Sequence, residues 1–425
     1  MSGKVHSETT FSFLYKNNSR QKCKENYKSP RMLQIKGPPD DQRLVQIAQS
    51  RAAALYDRSP ATQRGTQAWI QRSWQRCLAI GHRPDKAVTF AAFAPAAAQQ
   101  AREANETLLN VARPLLMQLG QAIASTRYFA ILTDARGIVV GSYGQIDRSD
   151  PRADLITRVG TDLSERNVAT TAIGAALAEL EPIWLHRGEH FFESNSIYSC
   201  AGAPLFGHHG QCIGMLDLTG IEAVERPELK HLVAQSARSI ENALTIDRIK
   251  GTRDILMRLN WPGHVLGDDS DGLVCLNADG FVTAANQTAR QMLPRLAPNP
   301  SLAFGDCLKA DHHSSDVFAI GFETLFDAAR GSSGLRVLDV PLWSGLRLNA
   351  VALQAGDTSS AIWQAAKPAL AAQPSLARQP LKEIQTALIR KAVDDARGNV
   401  LQAAKDLGVS RATVYRRLGA LLKRR

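Results

Sequence analysis

The sequence predicts a multidomain protein in which two α+β domains precede a small all-α domain at the C-terminus. Its 425 residues are enough for two to four domains. The middle of the chain alternates helical patterns with short β-rich runs and turn residues, which is typical of antiparallel sheets framed by helices. The last 45 residues carry only helical periodicity, interrupted by glycines.

Composition indicates a water-soluble chain that works inside the cell. The sequence is 44% hydrophobic and 21% charged, and it has no apolar run near the ~20 residues that span a bilayer. Its N-terminus lacks the apolar core of a secretory signal. We therefore expect no membrane association and a cytoplasmic, nucleoid-associated protein. The six cysteines form no CxxC pair, so no disulfide framework or zinc finger is predicted.

The positive charge is concentrated at the two ends of the chain. Residues 381–425 hold 11 Lys/Arg and 4 Asp/Glu, a net charge of +7, and residues 1–31 hold 7 and 2, a net charge of +5. Since the whole chain carries +11, the large middle is nearly neutral and unsuited to binding DNA by itself.

The N-terminal third of the chain divides into two predicted segments. Residues 1–31 are polar, have no apolar period and are predicted to be disordered. Residues 32–125 are predicted to be mainly helical. They contain the run Ser73-Trp74-Gln75-Arg76-Cys77, whose Trp and Cys are typical core residues of a helix.

Residues 126–247 have the pattern of an α+β domain. A hairpin is predicted from strands on either side of Ala135-Arg136-Gly137, with further strands at 183–185, 199–203 and 211–217 and a helix after Gly220. His208 and His209 lie between glycines, so a solvated hairpin tip is expected there. Residues 248–262 have near-helical apolar spacing and are predicted to be a connecting helix.

A second α+β pattern follows at 263–353. Strands are predicted at 272–276, 281–284, 335–341 and 346–353, and a helix at 286–293. Residues 354–380 are rich in Ala, Gln, Pro and Ser and are predicted to be a linker.

Residues 381–425 have the pattern of a helix-turn-helix domain. Gly398 and Gly408 separate three amphipathic helices, and Asn399 and Ser410 cap the second and third. The outer face of the third helix has the small, hydroxyl and arginine side chains that a major groove requires. The predicted DNA-binding residues are Asn399, Ser410, Arg411, Ala412, Thr413, Tyr415, Arg416, Arg417 and Lys423.

These segments together resemble the bacterial transcription regulators of the acetoin-catabolism type. The C-terminal segment is similar to their Fis-type helix-turn-helix through Asn399, Ala403-Ala404, Leu407-Gly408, Ser410-Arg411, Thr413, Arg416 and Leu418. The run from Ser73 to Cys77 is similar to the segment before their sensor domain. Residues 126–247 resemble a GAF domain through Thr170-Thr171-Ala172-Ile173-Gly174, Gly188-Glu189-His190-Phe191, Ser199-Cys200-Ala201 and Gly214–Gly220. Residues 263–353 resemble a PAS-like domain through Asp279-Gly280 and Ala285-Asn286.

The resemblance implies a fold and a set of partners. The expected architecture is an α+β GAF sensor, an α+β PAS-like domain and an all-α Fis-type helix-turn-helix. The expected partners are a double-stranded DNA operator, a small organic effector in the GAF domain, the RNA polymerase holoenzyme and a second copy of the chain in a homodimer. If the GAF resemblance holds, the effector pocket is lined by Trp184, His190, Phe192, Asn195, Tyr198 and Cys200.

No catalytic or cofactor site is predicted. Regulators of this type carry an AAA+ ATPase, but neither its phosphate-binding loop G-x-x-x-x-G-K-[ST] nor its GAFTGA loop occurs in the sequence. His186, His190, Cys200, His208 and His209 do not have the spacing of a closed zinc site.

Four hypotheses on function remain open at this point. The first is an effector-sensing DNA-binding regulator without ATPase activity. The second is an accessory DNA-binding factor that works with a separate sigma-54 ATPase activator. The third is a GAF-type redox enzyme using Cys200 and Cys212, and the fourth is an architectural DNA-bending dimer.

Overall fold

A computed structural model describes residues 39–57, 67–88, 90, 95–297, 312–330 and 336–354, together with Val400 and Ala404. The chain divides into two units, residues 1–360 and 361–425. In the second unit Val400 and Ala404 are helical and Ala404 is buried, as the predicted inner face of its helix requires. The predicted disordered segment, nearly all of the linker and all nine predicted DNA-binding residues lie outside the described residues.

The first unit contains eleven α-helices and ten strands within its described residues. The helices are α1 (Pro39–Ala52), α2 (Ala68–Ile80), α3 (Pro95–Ala104), α4 (Glu106–Ala122), α5 (Pro151–Thr157), α6 (Glu165–Val168), α7 (Ala172–Glu179), α8 (Leu229–Arg248), α9 (Gln287–Met292), α10 (Ser314–Val317) and α11 (Phe322–Arg330). The strands are β1 (Tyr128–Asp134), β2 (Val139–Tyr143), β3 (Ile183–His186), β4 (Tyr198–Phe206), β5 (Cys212–Ile221), β6 (Ile255–Asn260), β7 (Gly272–Leu276), β8 (Val282–Ala285), β9 (Leu338–Pro341) and β10 (Arg347–Gln354).

Strands β1 to β5 form an antiparallel sheet in the order β2-β1-β5-β4-β3. Helices α4 and α8 cover one face, and α5 and α7 cover the other, so every residue of β1 is buried. The predicted hairpin is confirmed, since Gly137 takes a φ of +86° at its turn and the Asp134 carboxylate accepts the N–H groups of Arg136 and Ile138. We call residues 95–248 the first domain.

The predicted boundary at residue 126 divides the core of the first domain. Leu108, Leu116 and Leu119 of α4 pack in the same hydrophobic cluster as Leu132 of β1 and Leu218 of β5. The predicted boundary is too late because helix α4, which precedes it, belongs to this core. Helices α2 to α4 lie within the region predicted to be mainly helical, but composition does not reveal which surface a helix covers.

Strands β6 to β10 form a second antiparallel sheet in the order β8-β7-β6-β10-β9. One face packs on α9, α10 and α11 around Phe318 and Leu325. The four strands and the helix predicted between residues 263 and 353 are present. We call residues 255–354 the second domain.

The predicted connecting helix at 248–262 is wrong. Helix α8 ends at Arg248, Gly251 has a φ of +76°, and residues 255–260 form the central strand β6. All six residues of β6 are buried because the strand is covered on both faces. A short apolar run of this kind has no period that separates a buried strand from a helix.

The β4–β5 hairpin tip contacts the second domain, so the prediction of a solvated tip is wrong. The His208 carbonyl accepts hydrogen bonds from the Ala285 N–H (3.0 Å) and from Nη2 of the buried Arg290 (2.8 Å). Nearby, Asn286 Nδ2 donates to Asn242 Oδ1 of α8 (2.7 Å). These contacts form what we call the domain joint, and they tie β4, β5 and α8 to the start of α9.

Candidate ligand site

A cavity of about 60 Å³ lies between the first sheet and helices α5 to α7. A cavity needs about 10–15 Å³ to hold one water molecule, so this cavity holds roughly four to six groups of that size. A Cβ on Gly202 would lie 3.0 Å from the Ala172 carbonyl oxygen, so β4 and α7 approach closely beside the cavity. The lining residues are Phe90, Ile131, Ile156, Leu163, Val168, Thr171, Ala172, Ile173, His190, Asn195, Tyr198, Cys200, Asp217 and Thr219.

Four of the six predicted pocket residues line this cavity: His190, Asn195, Tyr198 and Cys200. Trp184 does not, because it belongs to the cluster on the opposite face of the sheet. Its neighbour Leu185 faces the cavity side instead, as strand alternation requires. Phe192 packs with Trp74 and Phe191 in a separate cluster beneath the N-terminal helices. The prediction is wrong for these two residues because aromatic character does not identify the face of the sheet.

His190 presents an unprotonated ring nitrogen to the cavity. Its Nδ1 lies 2.9 Å from the Arg187 carbonyl oxygen, which can only accept, so Nδ1 carries the proton and Nε2 is left as an acceptor. Nε2 is buried and has no hydrogen-bond partner among the residues that the structure describes. Burial lowers the pKa of His190 to about 4, so the ring is neutral at physiological pH.

Asp217 places a second unsatisfied polar atom at the same cavity. The side chain is fully buried, its Oδ2 accepts the Thr219 hydroxyl, and its Oδ1 has no partner within the described part of the chain. Burial raises the pKa of Asp217 to about 7, although the hydrogen bond from Thr219 opposes this. Asp217 is therefore a proton-carrying group over much of the neutral range, able to donate as well as accept.

Cys200 is a buried thiol on the neighbouring strand. Strand register places it opposite Thr219, and its Sγ lies 3.4 Å from the Thr219 hydroxyl oxygen. Burial, with the charge of Asp217, raises the pKa of Cys200 well above its ordinary value. The thiol is thus a poor nucleophile at neutral pH.

Sequence reasoning missed Asp217 and Thr219. Both alternate with the apolar residues Leu216 and Leu218 along β5, so a polar face within an otherwise apolar strand was visible in the sequence. Their proximity to Cys200 could not be predicted from the sequence, because it depends on the pairing register of β4 with β5.

The histidines and cysteines considered for a metal site do not come together. Among the residues that the structure describes, no group of three or more His, Cys, Asp or Glu side chains could hold a metal ion. His208 lies in the domain joint, whereas His190 and Cys200 line the cavity.

A five-stranded antiparallel sheet that is covered by helices on both faces, with a cavity under one of these layers, is typical of the GAF class of domains. The GAF domain family matches residues 96–244, and the Fis family of bacterial regulatory proteins matches residues 380–421. The chain therefore carries a GAF domain and a Fis-type helix-turn-helix segment, as predicted.

Two of the relatives are named as transcription regulators. The chain is 28% identical over 285 residues to the "Acetoin catabolism regulatory protein" of Cupriavidus necator, a match that covers 64% of this chain and 40% of that protein. It is 24% identical over 226 residues to the "Acetoin dehydrogenase operon transcriptional activator AcoR" of Bacillus subtilis, covering 53% and 36%. The chain thus spans about two-fifths or less of the length of these relatives.

A solved structure with detectable similarity is the E. coli DhaR(N)-DhaL complex. The match has 14% identity and a TM-score of 0.40, and it covers 68% of this chain and 99% of that chain. No helix in the described part of the chain has the length and apolar character needed to span a bilayer.

Proposed function

We propose that the protein is a sequence-specific DNA-binding transcription regulator that senses a small organic effector in the GAF cavity. The observation that carries the proposal is the pair of buried, unpartnered polar atoms at that cavity, His190 Nε2 and Asp217 Oδ1. Leaving such atoms unpaired costs about 1–3 kcal/mol each, so a ligand that pairs with both is strongly favoured.

The cavity favours a small, uncharged, oxygen-bearing effector. His190 Nε2 accepts a hydrogen bond, and protonated Asp217 donates one, so a molecule with one hydroxyl and one carbonyl oxygen satisfies both. The remaining lining is mostly apolar, through Ile131, Ile156 and Ile173. The relatives' names point to acetoin, a small hydroxyketone with this pattern of groups.

The DNA-binding output is assigned to residues 381–425. That segment carries a net charge of +7, and the nine predicted contact residues supply base-reading and phosphate-binding groups. We propose a homodimer whose two heads bind half-sites about one DNA turn, ~34 Å, apart or a multiple of it. RNA polymerase is the proposed protein partner.

The second domain is proposed to be a PAS-like module that passes the signal. Its five-stranded antiparallel sheet and the domain joint support this role, since β4 and β5 carry Cys200, Asp217 and Thr219 and also end in the hairpin that contacts Arg290. Ligand contacts made on these strands therefore act on the same element that holds the second domain.

We further propose that the chain has no ATPase activity, because it contains no phosphate-binding loop. A regulator of this kind acts directly on RNA polymerase. The alternative is an accessory factor that binds DNA beside a separate sigma-54 ATPase activator. DNA footprints with sigma-70 and sigma-54 holoenzymes separate these two modes.

The redox hypothesis is disfavoured by the positions of its two cysteines. Cys200 lies opposite Thr219, whereas Cys212 lies opposite Phe206, six residues further along β4. At about 3.3 Å per strand residue the two thiols are roughly 20 Å apart, far beyond disulfide distance. Burial also raises the pKa of both thiols.

Calorimetric titration of the full chain with acetoin tests the proposal. We expect saturable binding to the wild type and none to Ala172→Leu, whose added side chain fills the cavity. Trp184→Phe is the matched control, because Trp184 lies on the opposite face of the sheet and its replacement should leave binding intact. Equal binding by the wild type and Ala172→Leu would place the effector site elsewhere.

A further inference from the structure

We infer that helix α1 is a gate on the GAF cavity and that Arg51 is its positioning residue. The proposal deepens the proposed function, since it assigns control of access to the same cavity. Its basis is a direct connection between α1 and residues 187–191, which we call the His190 turn.

Arg51 reaches across to the backbone of the His190 turn. The side chain is buried, and its guanidinium donates to the carbonyl oxygens of Gly188 (3.2 Å), His190 and Phe191 (2.5 Å). One of these acceptors is the carbonyl of His190, whose ring lines the cavity, and the other two belong to residues on either side of it in the sequence. A planar fork that binds several carbonyls at once fixes backbone position more strictly than a single contact does.

Two further contacts from the N-terminal helices hold the same turn. Arg43 of α1 forms an ion pair with Glu189 (2.5 Å), and the other Glu189 oxygen accepts the His186 N–H (2.8 Å). Trp74 Nε1 of α2 donates to the Glu189 carbonyl oxygen (3.0 Å). The turn is therefore positioned by helices that precede the sheet, not by the sheet alone.

The His190 turn has a conformation that needs external support. Arg187 takes a φ of +51°, in the left-handed region that a residue with a side chain rarely adopts. Its carbonyl is the acceptor for His190 Nδ1, so the strained residue also sets the orientation of the ring. Backbone strain of this kind persists where neighbouring structure enforces it.

The attachment of α1 is small enough to be reversible. Ile47 is its buried apolar contact, packing against Gly188, whereas Leu44 and Val45 are about 40% exposed. A groove of about 440 Å³ remains between α1 and residues 187–196. Within the described residues, none of the hydrophobic clusters on either sheet includes a residue of α1. Directly after α1, Leu55 is buried in a separate cluster with Trp74 and Phe191, so α1 can leave the turn without disrupting the sheet cores while residues 53–57 remain attached.

Cys200 provides a readout of gate opening that needs no effector. The full chain is treated with methyl methanethiosulfonate, and labelling of each cysteine is followed by peptide mass spectrometry. Cys275, fully buried against α8 in the second domain, serves as the internal control for unfolding. We expect Arg51→Ala to label Cys200 about tenfold faster than the wild type while Cys275 is unchanged, as local opening requires.

Two more variants complete the test. Arg72→Ala is the matched control, since Arg72 is an exposed arginine of α2 that pairs with Glu179 and does not contact the turn. It should label like the wild type. Glu189→Gln weakens the ion pair between Arg43 of α1 and the His190 turn. It should accelerate Cys200 labelling less than Arg51→Ala does. This second variant keeps the test valid if Arg51→Ala fails to fold.

Comparing the two cysteines separates local gate opening from a general loss of stability. Unchanged Cys200 labelling in both Arg51→Ala and Glu189→Gln overturns the proposal. Equal acceleration of Cys200 and Cys275 labelling also overturns it, because it indicates that the whole chain is destabilised. Failure of the wild type to bind acetoin would count against the proposed effector and leave the labelling result valid. A faster association of acetoin with Arg51→Ala would support the gate further.

Discussion

Replacing Asp217 with Asn tests the electrostatics of the cavity. Asp217 is fully buried among Thr219, Cys200 and apolar lining residues, and its pKa rises from an ordinary 3.8 to about 7. Asn has nearly the same shape and cannot ionise. The variant therefore removes the cost of ionising this carboxyl and changes little else.

The sign of the effect follows from proton binding. Between about pH 4 and pH 7 the native carboxyl keeps its proton while the unfolded one releases it, so the contribution of Asp217 to wild-type stability falls as the pH rises. Three pH units at about 1.4 kcal/mol each give roughly 4 kcal/mol as the upper limit of this loss. Asp217→Asn has no carboxyl at this position and does not lose this stability. Its free energy of unfolding relative to that of the wild type should therefore grow by up to about 4 kcal/mol over this pH range and then level off.

Urea unfolding followed by tryptophan fluorescence measures this difference at a series of pH values. Comparing the two chains cancels the contributions that the other titrating groups make to the pH dependence of stability. One of these is His190, whose pKa of about 4 makes stability rise with pH, opposite to the effect of Asp217. Asp147→Asn is the control: the exposed Asp147 carboxylate accepts hydrogen bonds from Ser149 that lower its pKa from 3.8, so the wild type should gain on this variant only in the acid range up to about pH 4, and the difference should stay level between about pH 4 and pH 7. A stability difference between Asp217→Asn and the wild type that stays constant from about pH 4 to pH 7 would show that Asp217 is ionised in the folded chain over this range.

Three further predictions concern the domain joint and the DNA-binding segment. Arg290→Ala removes two hydrogen bonds, to the carbonyls of His208 and Leu296, so we expect a loss of about 2–4 kcal/mol and faster tryptic cleavage at Lys250 and Arg253. The exposed Arg295→Ala should be cut at the wild-type rate, and equal rates for both variants would count against the joint. Arg416→Ala should weaken operator binding by about 1–3 kcal/mol if Arg416 reads a base, and an unchanged dissociation constant would remove it from the reading face. Neutralising Lys423, Arg424 and Arg425 should reduce the dependence of DNA affinity on salt, whereas an identical slope would show that these side chains do not contact phosphates.

Local signals in the sequence were sufficient for most of the two sheets. The turn at Gly137 and the strands predicted at 199–203 and 211–217 follow from short-range rules, and the structure has all of them. Residues 255–260 have the apolar spacing of a helix but form a strand, because their environment, the centre of a sheet, is determined by distant strands. The same limit applies to the boundary at 126, where α4 joins a core whose other members follow it in the chain.

The candidate site was only partly predictable for a related reason. His190 and Cys200 lie in the segments that resemble a GAF domain, whereas Trp184 has suitable chemistry but lies on the other face of the sheet. Asp217 became recognisable only when pairing with β1 and β4 placed its carboxyl beside the cavity. The role of Arg51 depends on contacts 137 to 140 residues away in sequence, which no local pattern reveals.

We propose that occupancy of the GAF cavity changes how the chain binds DNA. Selection from random DNA identifies the operator, and fluorescence anisotropy then measures its affinity for the full chain with and without saturating acetoin. We expect the dissociation constant to change about 5- to 150-fold, a coupling of roughly 1–3 kcal/mol, in the wild type and to stay constant in Ala172→Leu. Identical operator affinity with and without acetoin, in a wild type that binds acetoin by calorimetry, would contradict the claim.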